Sequence, residues 1–576
     1  MKKFLKLLLA VICGILILNI LLIAIIAGLA TPSTPKLPSE GVLRIDMSKI
    51  VISEQTQESD PFSTLQSGGQ EISQIGILDA SNALKAAAED PGIKFIYLKT
   101  DGSTTGISMA DEFRQALAEY RKNSGKPVIS YIENPTTGSY YLSSVADKIY
   151  MTPHPGASMM MTGMSIQMSF LGDLLKKLGV NVQLIRHGKY KSAGEMFTRS
   201  SASAENREQY QRLVNSLWEN ASATIAKSRG ISVEQLNDAI DNLKLCLSQD
   251  FVDYGLVDTL LDRKGLEEQL AVLAMEDSYK KVTMIDFAGY VTSKATLSKS
   301  TKKIAVIYAD GDIVDGSDEL KVAGDRFASV IENIRNDKSV KAVVLRVNSP
   351  GGSVLASEKI KRELDLLKEE KPLVASYGAY AASGGYWISN NCEKIFTSPY
   401  TLTGSIGVFG MVPEFSKTAS DILHVGIETI SSNKHGDMYS LTRPFDSAEY
   451  NYMLRSIEDI YDRFTTIVSE GRDIPKAEVD AVGQGRVWTG ADALGIKLVD
   501  EYGTLNDAVA YVADLAGDPE VSNWNVKGYP APLTMMEQVM KSISGKPEDY
   551  TVRLKKELST PRIVARLPYE ISFLLR

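Results

Sequence analysis

The chain carries the same sequence pattern twice, with an offset of about 246 residues between the copies. Three pairs of segments share this offset: 96–100 with 343–347, 138–143 with 384–389, and 147–153 with 393–399. Agreement of several blocks at one offset indicates an internal duplication. The chain must therefore fold as two related units, and any function has to be assigned to one copy, the other, or both.

Each copy alternates short apolar segments with amphipathic ones. Segments 303–308, 342–347 and 373–376 are predicted strands, and segments 109–121 and 356–370 have helical patterns. Such alternation is typical of α/β units in which right-handed crossovers join parallel strands. The sequence predicts an α/β fold with two tandem domains, at 46–290 and 300–520. The extension at 521–576 is basic toward its end and is predicted either to pack on the body or to lie on a membrane surface.

The N-terminus carries a membrane-targeting pattern. Lys2, Lys3 and Lys6 precede an apolar run at 7–30, which is long enough for a helix to cross a hydrocarbon core of ~30 Å. Because the positive charge precedes the run, we predict that 1–6 is cytoplasmic, that 7–30 is a retained transmembrane helix, and that 31–45 is a linker. The alternative is a cleaved secretory signal that ends near 28–30, but the run is longer than a typical signal core.

Composition excludes several other classes of function. The net charge of -8 disfavours a nucleic-acid partner, which usually requires a basic face. Three cysteines are too few and too scattered for a disulfide framework, and four histidines show no metal-ligand spacing. We therefore predict neither a metal nor another cofactor.

Two segments of the second copy have the pattern of a nucleophile site. Segment 348–353 (Asn-Ser-Pro-Gly-Gly-Ser) follows a predicted strand, and the N–H groups of Gly351 or Gly352 can hold an oxyanion there. In segment 381–387, small residues flank Ser383 between a strand and a helix, as in a nucleophile elbow. The N–H of Gly384 would be the second oxyanion donor. Taken alone, segment 348–353 also fits an ordinary strand-to-helix turn, and Ser383 also fits a helix-capping serine among packing glycines.

The matching general base is predicted in the first copy. Lys191 lies in a polar loop, and alignment of the copies places Gly436 opposite it, while Thr137 is opposite Ser383. The first copy thus has the lysine without the serine, and the second has the serine without the lysine. We predict that the two copies share one active site, although an isolated loop lysine is more often a solvated side chain. To act as a base, Lys191 must be buried enough to lower its pKa by roughly 2–4 units from ~10.4.

At these residues the chain resembles the signal peptide peptidase A (protease IV) family in its long, duplicated form. The motifs that carry the resemblance are segments 190–193, 348–352, 382–386 and 402–407. The resemblance implies two domains of the Clp protease and crotonase type, with Ser383 as nucleophile and Lys191 as base. It also implies that Ser405 orients the lysine and that the 351–352 turn and the amide of Gly384 hold the oxyanion.

The resemblance further implies the biological setting. The family's substrates are remnant signal peptides, so peptide substrates with apolar segments are expected. A single-pass anchor in the bacterial inner membrane, a catalytic body on the periplasmic side and a homotetramer are also expected. Whether Lys191 and Ser383 pair within one chain or between chains is left open by the sequence.

Three alternatives remain open from the sequence. The first is a Ser-His-Asp hydrolase that uses Ser383, His435 and Asp437. The second is a crotonase-like enzyme that handles acyl-CoA, because the same glycine turn can stabilise a thioester enolate. The third is an inactive envelope scaffold.

Overall fold

The computed structural model describes residues 14, 37–57, 72–294, 299–532, 537 and 562–566. The predicted cytoplasmic segment 1–6 and, apart from Gly14, the predicted transmembrane segment 7–30 lie outside these residues. Among the residues that are described, no helix is both long and apolar enough to span a membrane.

The first half of the chain contains nine strands and ten α-helices among its described residues. The strands are β1 (Gly41–Asp46), β2 (Ile50–Ser53), β3 (Ser73–Gly76), β4 (Ile93–Lys99), β5 (Val128–Ile132), β6 (Lys148–Met151), β7 (Asn181–His187), β8 (Thr259–Leu260) and β9 (Met284–Asp286). The helices are α1 (Ile77–Glu89), α2 (Ile107–Ser124), α3 (Thr137–Ser143), α4 (Gly172–Lys177), α5 (Glu195–Thr198), α6 (Ala204–Arg229), α7 (Val233–Asp241), α8 (Ser248–Asp253), α9 (Arg263–Leu273) and α10 (Phe287–Lys294).

The second half repeats this alternation. Its strands are β10 (Lys303–Asp310), β11 (Ile313–Val314), β12 (Val322–Ala323), β13 (Val340–Ser349), β14 (Gly351–Ser353), β15 (Leu373–Ala382), β16 (Ile395–Thr397), β17 (Leu402–Gly404), β18 (Val408–Glu414), β19 (Val487–Thr489), β20 (Glu501–Tyr502), β21 (Asn525–Tyr529) and β22 (Arg562–Arg566). Its helices are α11 (Gly324–Asn336), α12 (Val354–Glu370), α13 (Gly384–Ser389), α14 (Ser447–Arg472), α15 (Lys476–Val482), α16 (Gly490–Gly495) and α17 (Leu505–Leu515).

The two halves build the same central sheet. In the first half, the strand order β9-β1-β4-β5-β6-β8 is parallel throughout. In the second half, the order β21-β10-β13-β15-β16-β20 follows the same path, again parallel, and β17 and β19 are added beside β15. The predicted mixed α/β fold with a duplicated unit is therefore confirmed. The two sheets extend from Gly41 to Tyr529, beyond the predicted ranges 46–290 and 300–520 at both outer ends.

Strand β10 of the second sheet consists mostly of apolar residues and is buried along most of its length. Every residue of β10 between Ile304 and Ala309 is buried, as expected for a parallel strand covered on both faces. The predicted strands at 303–308, 342–347 and 373–376 all lie within β10, β13 and β15, and the two predicted helices lie within α2 and α12.

A third sheet joins the two halves. Its strand order is β12-β11-β14-β22-β18-β7, in which β7 comes from the first half and β18 from the second. These two strands pair antiparallel over seven positions, from Val408 opposite His187 to Glu414 opposite Asn181. The loops that follow β7 and precede β18 are thereby held side by side.

A buried ion cluster also connects the halves. The guanidinium of Arg346 on β13 lies 2.6 Å from a carboxylate oxygen of Glu54 and 2.6 Å from one of Glu112, both from the first half. All three side chains are at least 96% buried. A buried arginine between two carboxylates satisfies charges that would be costly to leave unpaired, so the cluster ties the orientation of one domain to the other.

Candidate active site

Ser383 lies at the sharp turn between β15 and α13. Its backbone has φ 56° and ψ −113°, a strained conformation for a residue other than glycine. Its N–H donates to the carbonyl of Gly404 at 2.8 Å, which fixes the turn against β17. The strand–turn–helix setting predicted for this serine is therefore observed, and strain at such a position is typical of a functional site.

The residue that follows Ser383 must be small for a steric reason. A Cβ atom at position 384 would lie 2.7 Å from Ser357 Oγ and 3.1 Å from the backbone nitrogen of Gly352. Only glycine therefore lets the start of α13 approach β14 so closely. As the first residue of the helix, Gly384 has an N–H without an intrahelical acceptor, and the backbone nitrogen of Gly352 lies nearby.

Lys191 reaches Ser383 from the first half of the same chain. Its Nζ lies 2.8 Å from Ser383 Oγ, 3.0 Å from Ser405 Oγ and 3.1 Å from the carbonyl oxygen of Ser405. Lys191, Ser383 and Ser405 are all fully buried. The three residues that the sequence assigned to proton transfer and lysine orientation are thus in one hydrogen-bonded cluster.

Close backbone packing holds the Lys191 loop in place. The N–H of Tyr190 donates to the carbonyl of Gln484 at 2.9 Å. A Cβ atom at position 485, where φ is +80°, would lie 2.5 Å from the Cβ of Lys191. Gly485 is therefore needed for the second half to close over the lysine stem, and no sequence pattern had pointed to it.

Burial changes the acid–base chemistry of the amine. Removal of Lys191 from water lowers its pKa well below 10.5, because the charged ammonium loses its hydration. The three oxygens within hydrogen-bonding distance of Nζ are uncharged, so no carboxylate contact opposes this shift. A lowered pKa is what a general base requires, because the base must be uncharged to accept a proton.

The two glycines of the predicted oxyanion turn differ in their contacts. The N–H of Gly351 donates to Ser349 Oγ at 3.2 Å, so it is engaged within its own turn. Gly352 has φ +157° and sits next to Gly384, as described above. Because the N–H of Gly351 is engaged, Gly352 is the candidate partner of Gly384 among the predicted donors.

The alternative triad is not brought together. His435 Nδ1 lies 2.9 Å from a carboxylate oxygen of Glu449, and Asp437 accepts hydrogen bonds from Arg443. Neither side chain is hydrogen-bonded to Ser383, whose hydroxyl contacts Lys191. His435, Asp446 and Glu449 have ligand atoms within 4.8 Å of one another, but Arg443 already supplies positive charge there through two contacts of 2.7 Å to Glu449.

An α/β chain with a strained serine at a strand–helix turn, hydrogen-bonded to a buried basic side chain, has the arrangement of a serine hydrolase. Comparison with known proteins refines this class. The profile of Peptidase family S49 matches residues 120–277 and 365–517, one segment in each half.

Curated relatives span most of the chain. Protease 4 of Haemophilus influenzae is 33% identical over 94% of this chain and 90% of its own length. The chloroplastic serine protease SPPA of Arabidopsis thaliana is 30% identical over 84% of this chain and 72% of its own length. The chain belongs to Peptidase family S49 and is a serine protease, as the motifs predicted.

Solved structures also match, among them one of a ClpP1 protein. A ClpP1 mutant from Listeria monocytogenes is 13% identical and covers 35% of this chain and 92% of that chain, with a TM-score of 0.24. This score is too low to establish a shared fold, so the predicted relation to the Clp and crotonase group stays a prediction.

Proposed function

We propose that this serine protease uses Ser383 as nucleophile and Lys191 as general base, in a single active site shared by its two halves. The observation that carries the proposal is the 2.8 Å contact between Lys191 Nζ and Ser383 Oγ inside one chain, in a fully buried setting. A short nucleophile–base contact with a third group that orients the base is the signature of an activated nucleophile.

The contacts of the amine suit its neutral form. A neutral amine has two N–H groups and one lone pair. The hydroxyl and the carbonyl of Ser405 can each accept one N–H, at 3.0 and 3.1 Å, which directs the lone pair toward Ser383 Oγ. Ser405 is therefore assigned as the residue that orients the base.

The reaction then proceeds by acyl transfer in two steps. Lys191 takes the hydroxyl proton while Ser383 Oγ attacks the peptide carbonyl, and the N–H groups of Gly352 and Gly384 hold the oxyanion. Each such donor contributes about 2.7–4 kcal/mol in a comparable oxyanion hole. The protonated Lys191 gives its proton to the leaving amine. It next takes a proton from water, whose oxygen attacks the acyl-enzyme, and returns that proton to Ser383 Oγ as the acid product leaves.

The substrates that fit this proposal are signal peptides left in the membrane after secretion. The apolar run at 7–30 behind three lysines supports a single-pass anchor in the inner membrane, with the body on the periplasmic side. An anchored protease works next to peptides that are themselves retained in the bilayer.

A homotetramer is the assembly that we propose. Between positions 422 and 430, five large apolar side chains are each at least 49% exposed, namely Ile422, Leu423, Val425, Ile427 and Ile430. A contiguous apolar segment of this kind is usually covered by another protein surface, which a second copy of the chain would supply. Analytical ultracentrifugation of the full chain in detergent measures the assembly directly.

The test of the catalytic assignment uses the full chain in detergent and a synthetic signal peptide. Ser383→Ala and Lys191→Ala should each abolish cleavage, and a fluorophosphonate should add mass to Ser383 alone. His435→Ala is the matched control and should keep wild-type activity. The assignment fails if the histidine change abolishes cleavage and the lysine change does not.

A further inference from the structure

Arg486 reaches from the second half of the chain to the residue that precedes Lys191. The central carbon of its guanidinium lies 4.7 Å from the centroid of the Tyr190 ring and 4.5 Å from the centroid of the Trp488 ring. Tyr190 comes from the first half and Trp488 from the second, so the cation contacts one aromatic ring of each half. A planar guanidinium stacks on such rings, and a lysine ammonium does not reproduce its shape.

Polar contacts hold the Tyr190 ring at its hydroxyl end. This hydroxyl accepts a hydrogen bond from Arg486 Nη1 at 3.3 Å and donates to the carboxylate of Glu208 at 3.1 Å. Arg486 Nη1 also lies 3.1 Å from a carboxylate oxygen of Glu208, which is on α6. Tyr190 is only 7% exposed. The side chain next to Lys191 is therefore fixed by a ring contact and by three polar contacts that close on one another.

The main chain of Arg486 binds the residue that orients the amine. Its carbonyl oxygen accepts the N–H of Ser405 at 2.7 Å. Ser405 in turn contacts Lys191 Nζ through its hydroxyl and its carbonyl oxygen. Arg486 therefore contacts both neighbours of the amine: its side chain holds the residue before Lys191, and its backbone holds Ser405. Loss of the side chain alone would release the first contact and leave the second in place.

We propose that Arg486 is a positioning residue for the general base: through Tyr190 it keeps the Lys191 amine enclosed between the halves and directed at Ser383. The proposal rests on the proposed function, because it concerns the same amine. Other charged or titratable side chains around the loop are Arg186, His187, Lys189, Glu195 and Glu208 of the first half and Tyr461 of the second, which stacks on His187. Arg486 differs from the charged members of this group because it comes from the second half and so joins the halves at the base.

Replacement of Arg486 by glutamine tests the proposal through the pH dependence of peptide cleavage by the full chain in detergent. Without the stacked cation, the Tyr190 side chain can move and water can reach the amine, which raises the pKa of Lys191 toward its ordinary value. The decrease of kcat/KM on the acid side should therefore move to higher pH by about one pH unit. On the acid side of both profiles, kcat should be about tenfold below the wild-type value with KM unchanged, and at high pH the two enzymes should converge. An unshifted profile in a folded variant would overturn the proposal.

Two further arginine variants separate the ring contact from charge and from general loosening of the interface. Arg486→Lys keeps the positive charge without the planar group and should also shift the profile to higher pH, so a wild-type profile would show that charge alone acts and would overturn the proposal. Arg212→Gln is the matched control, because Arg212 also joins the halves, through a 2.7 Å ion pair with Asp492. Its profile should match the wild type, and a shift equal to that of Arg486→Gln would contradict a specific role for Arg486.

Tyr190 provides the reciprocal test. Tyr190→Leu removes the ring that Arg486 contacts and should shift the profile in the same direction as Arg486→Gln. The double variant should shift it no further than either single variant, because both changes remove the same contact. Circular dichroism verifies that all three variants are folded. Shifts that add in the double variant would show that the two side chains act independently and would overturn the proposal.

Chemical labelling of the amine separates this proposal from the proposed function. Acetic anhydride reacts with neutral amines, so the extent of Lys191 acetylation at several pH values, measured by mass spectrometry of the full chain, gives the pKa of Lys191 without any catalysis. The labelling midpoint should lie about one pH unit higher in Arg486→Gln than in the wild type. If Lys191→Ala keeps its activity, the proposed function fails, but the labelling still decides whether Arg486 controls the amine. Equal midpoints in the two proteins would overturn the inference alone.

Discussion

Replacement of Lys191 by methionine isolates its role as a proton acceptor. Methionine keeps an unbranched apolar stem of similar length, which can pack against Gly407 and Gly485 as the lysine stem does. What is lost is the amine whose Nζ lies 2.8 Å from Ser383 Oγ. General-base catalysis contributes about 10²–10⁴-fold, so kcat/KM should fall by that factor, which corresponds to about 2.7–5.5 kcal/mol of transition-state stabilisation.

The assay is hydrolysis of a signal peptide by the full chain in detergent, followed by mass spectrometry, with the thermal midpoint measured in parallel. Stability should fall only modestly, because burial lowers the pKa of Lys191 and so disfavours a charge at this site, and methionine fills the space of the lysine stem while giving up the three contacts of the amine. Lys189→Met is the matched control, since the Lys189 amine lies over the ring of Tyr190, 5.1 Å from its centroid, and its activity should stay within about threefold. The reasoning is refuted if Lys191→Met is folded and keeps more than a tenth of wild-type kcat/KM while Ser383→Ala is inactive.

Burial lowers the pKa of Lys191, and the base must be neutral to accept a proton. The value of kcat/KM should therefore decrease about tenfold per pH unit below that pKa and stay constant above it. A pH profile without this decrease on the acid side would exclude Lys191 as the base. Ser405→Ala removes one of the two acceptors that orient the amine and should lower kcat about tenfold with KM unchanged. Ser405→Thr keeps a hydroxyl and should restore part of the loss. Equal kcat values for the wild type and both variants would contradict the assignment. Arg346→Leu leaves the carboxylates of Glu54 and Glu112 buried without their partner. The free energy of unfolding, measured by urea titration, should therefore fall by about 3–5 kcal/mol. A decrease below about 1 kcal/mol would show that the cluster does not hold the halves together.

Local sequence patterns predicted the parts of the site that depend on short-range geometry. The setting of Ser383 was predictable because a strand, a turn with small residues and a helix follow one another within a few positions. The duplication allowed a prediction about residues far apart in the sequence. Lys191 aligns with a glycine in the other copy, and this difference indicated a site shared by the two copies. It could not indicate whether the contact is made within one chain, and the structure shows that it is.

The contacts that enclose the lysine could not be predicted, because their partners are far apart in sequence and carry no local signal. Gly485 packs against Lys191 across nearly three hundred residues, and its positive φ is a property of the folded loop rather than of any motif. The same holds for β18, whose sequence gives no sign that it pairs with β7 of the other half. β21 lies past the predicted domain end because a five-residue edge strand has little periodicity to detect.

The division of the site between the halves has a physical consequence. A lysine works as a base only where water is excluded, and neither half encloses Lys191 alone: its loop comes from the first half, while Gly407, Gly485 and Ser405 come from the second. The lowering of the Lys191 pKa is therefore a consequence of burial between the two halves. Any change that loosens the pairing of β7 with β18 should admit water and raise the pKa of Lys191 toward its ordinary value. The proposed proton acceptor would then be lost at neutral pH even though the side chains of Ser383 and Lys191 are still present.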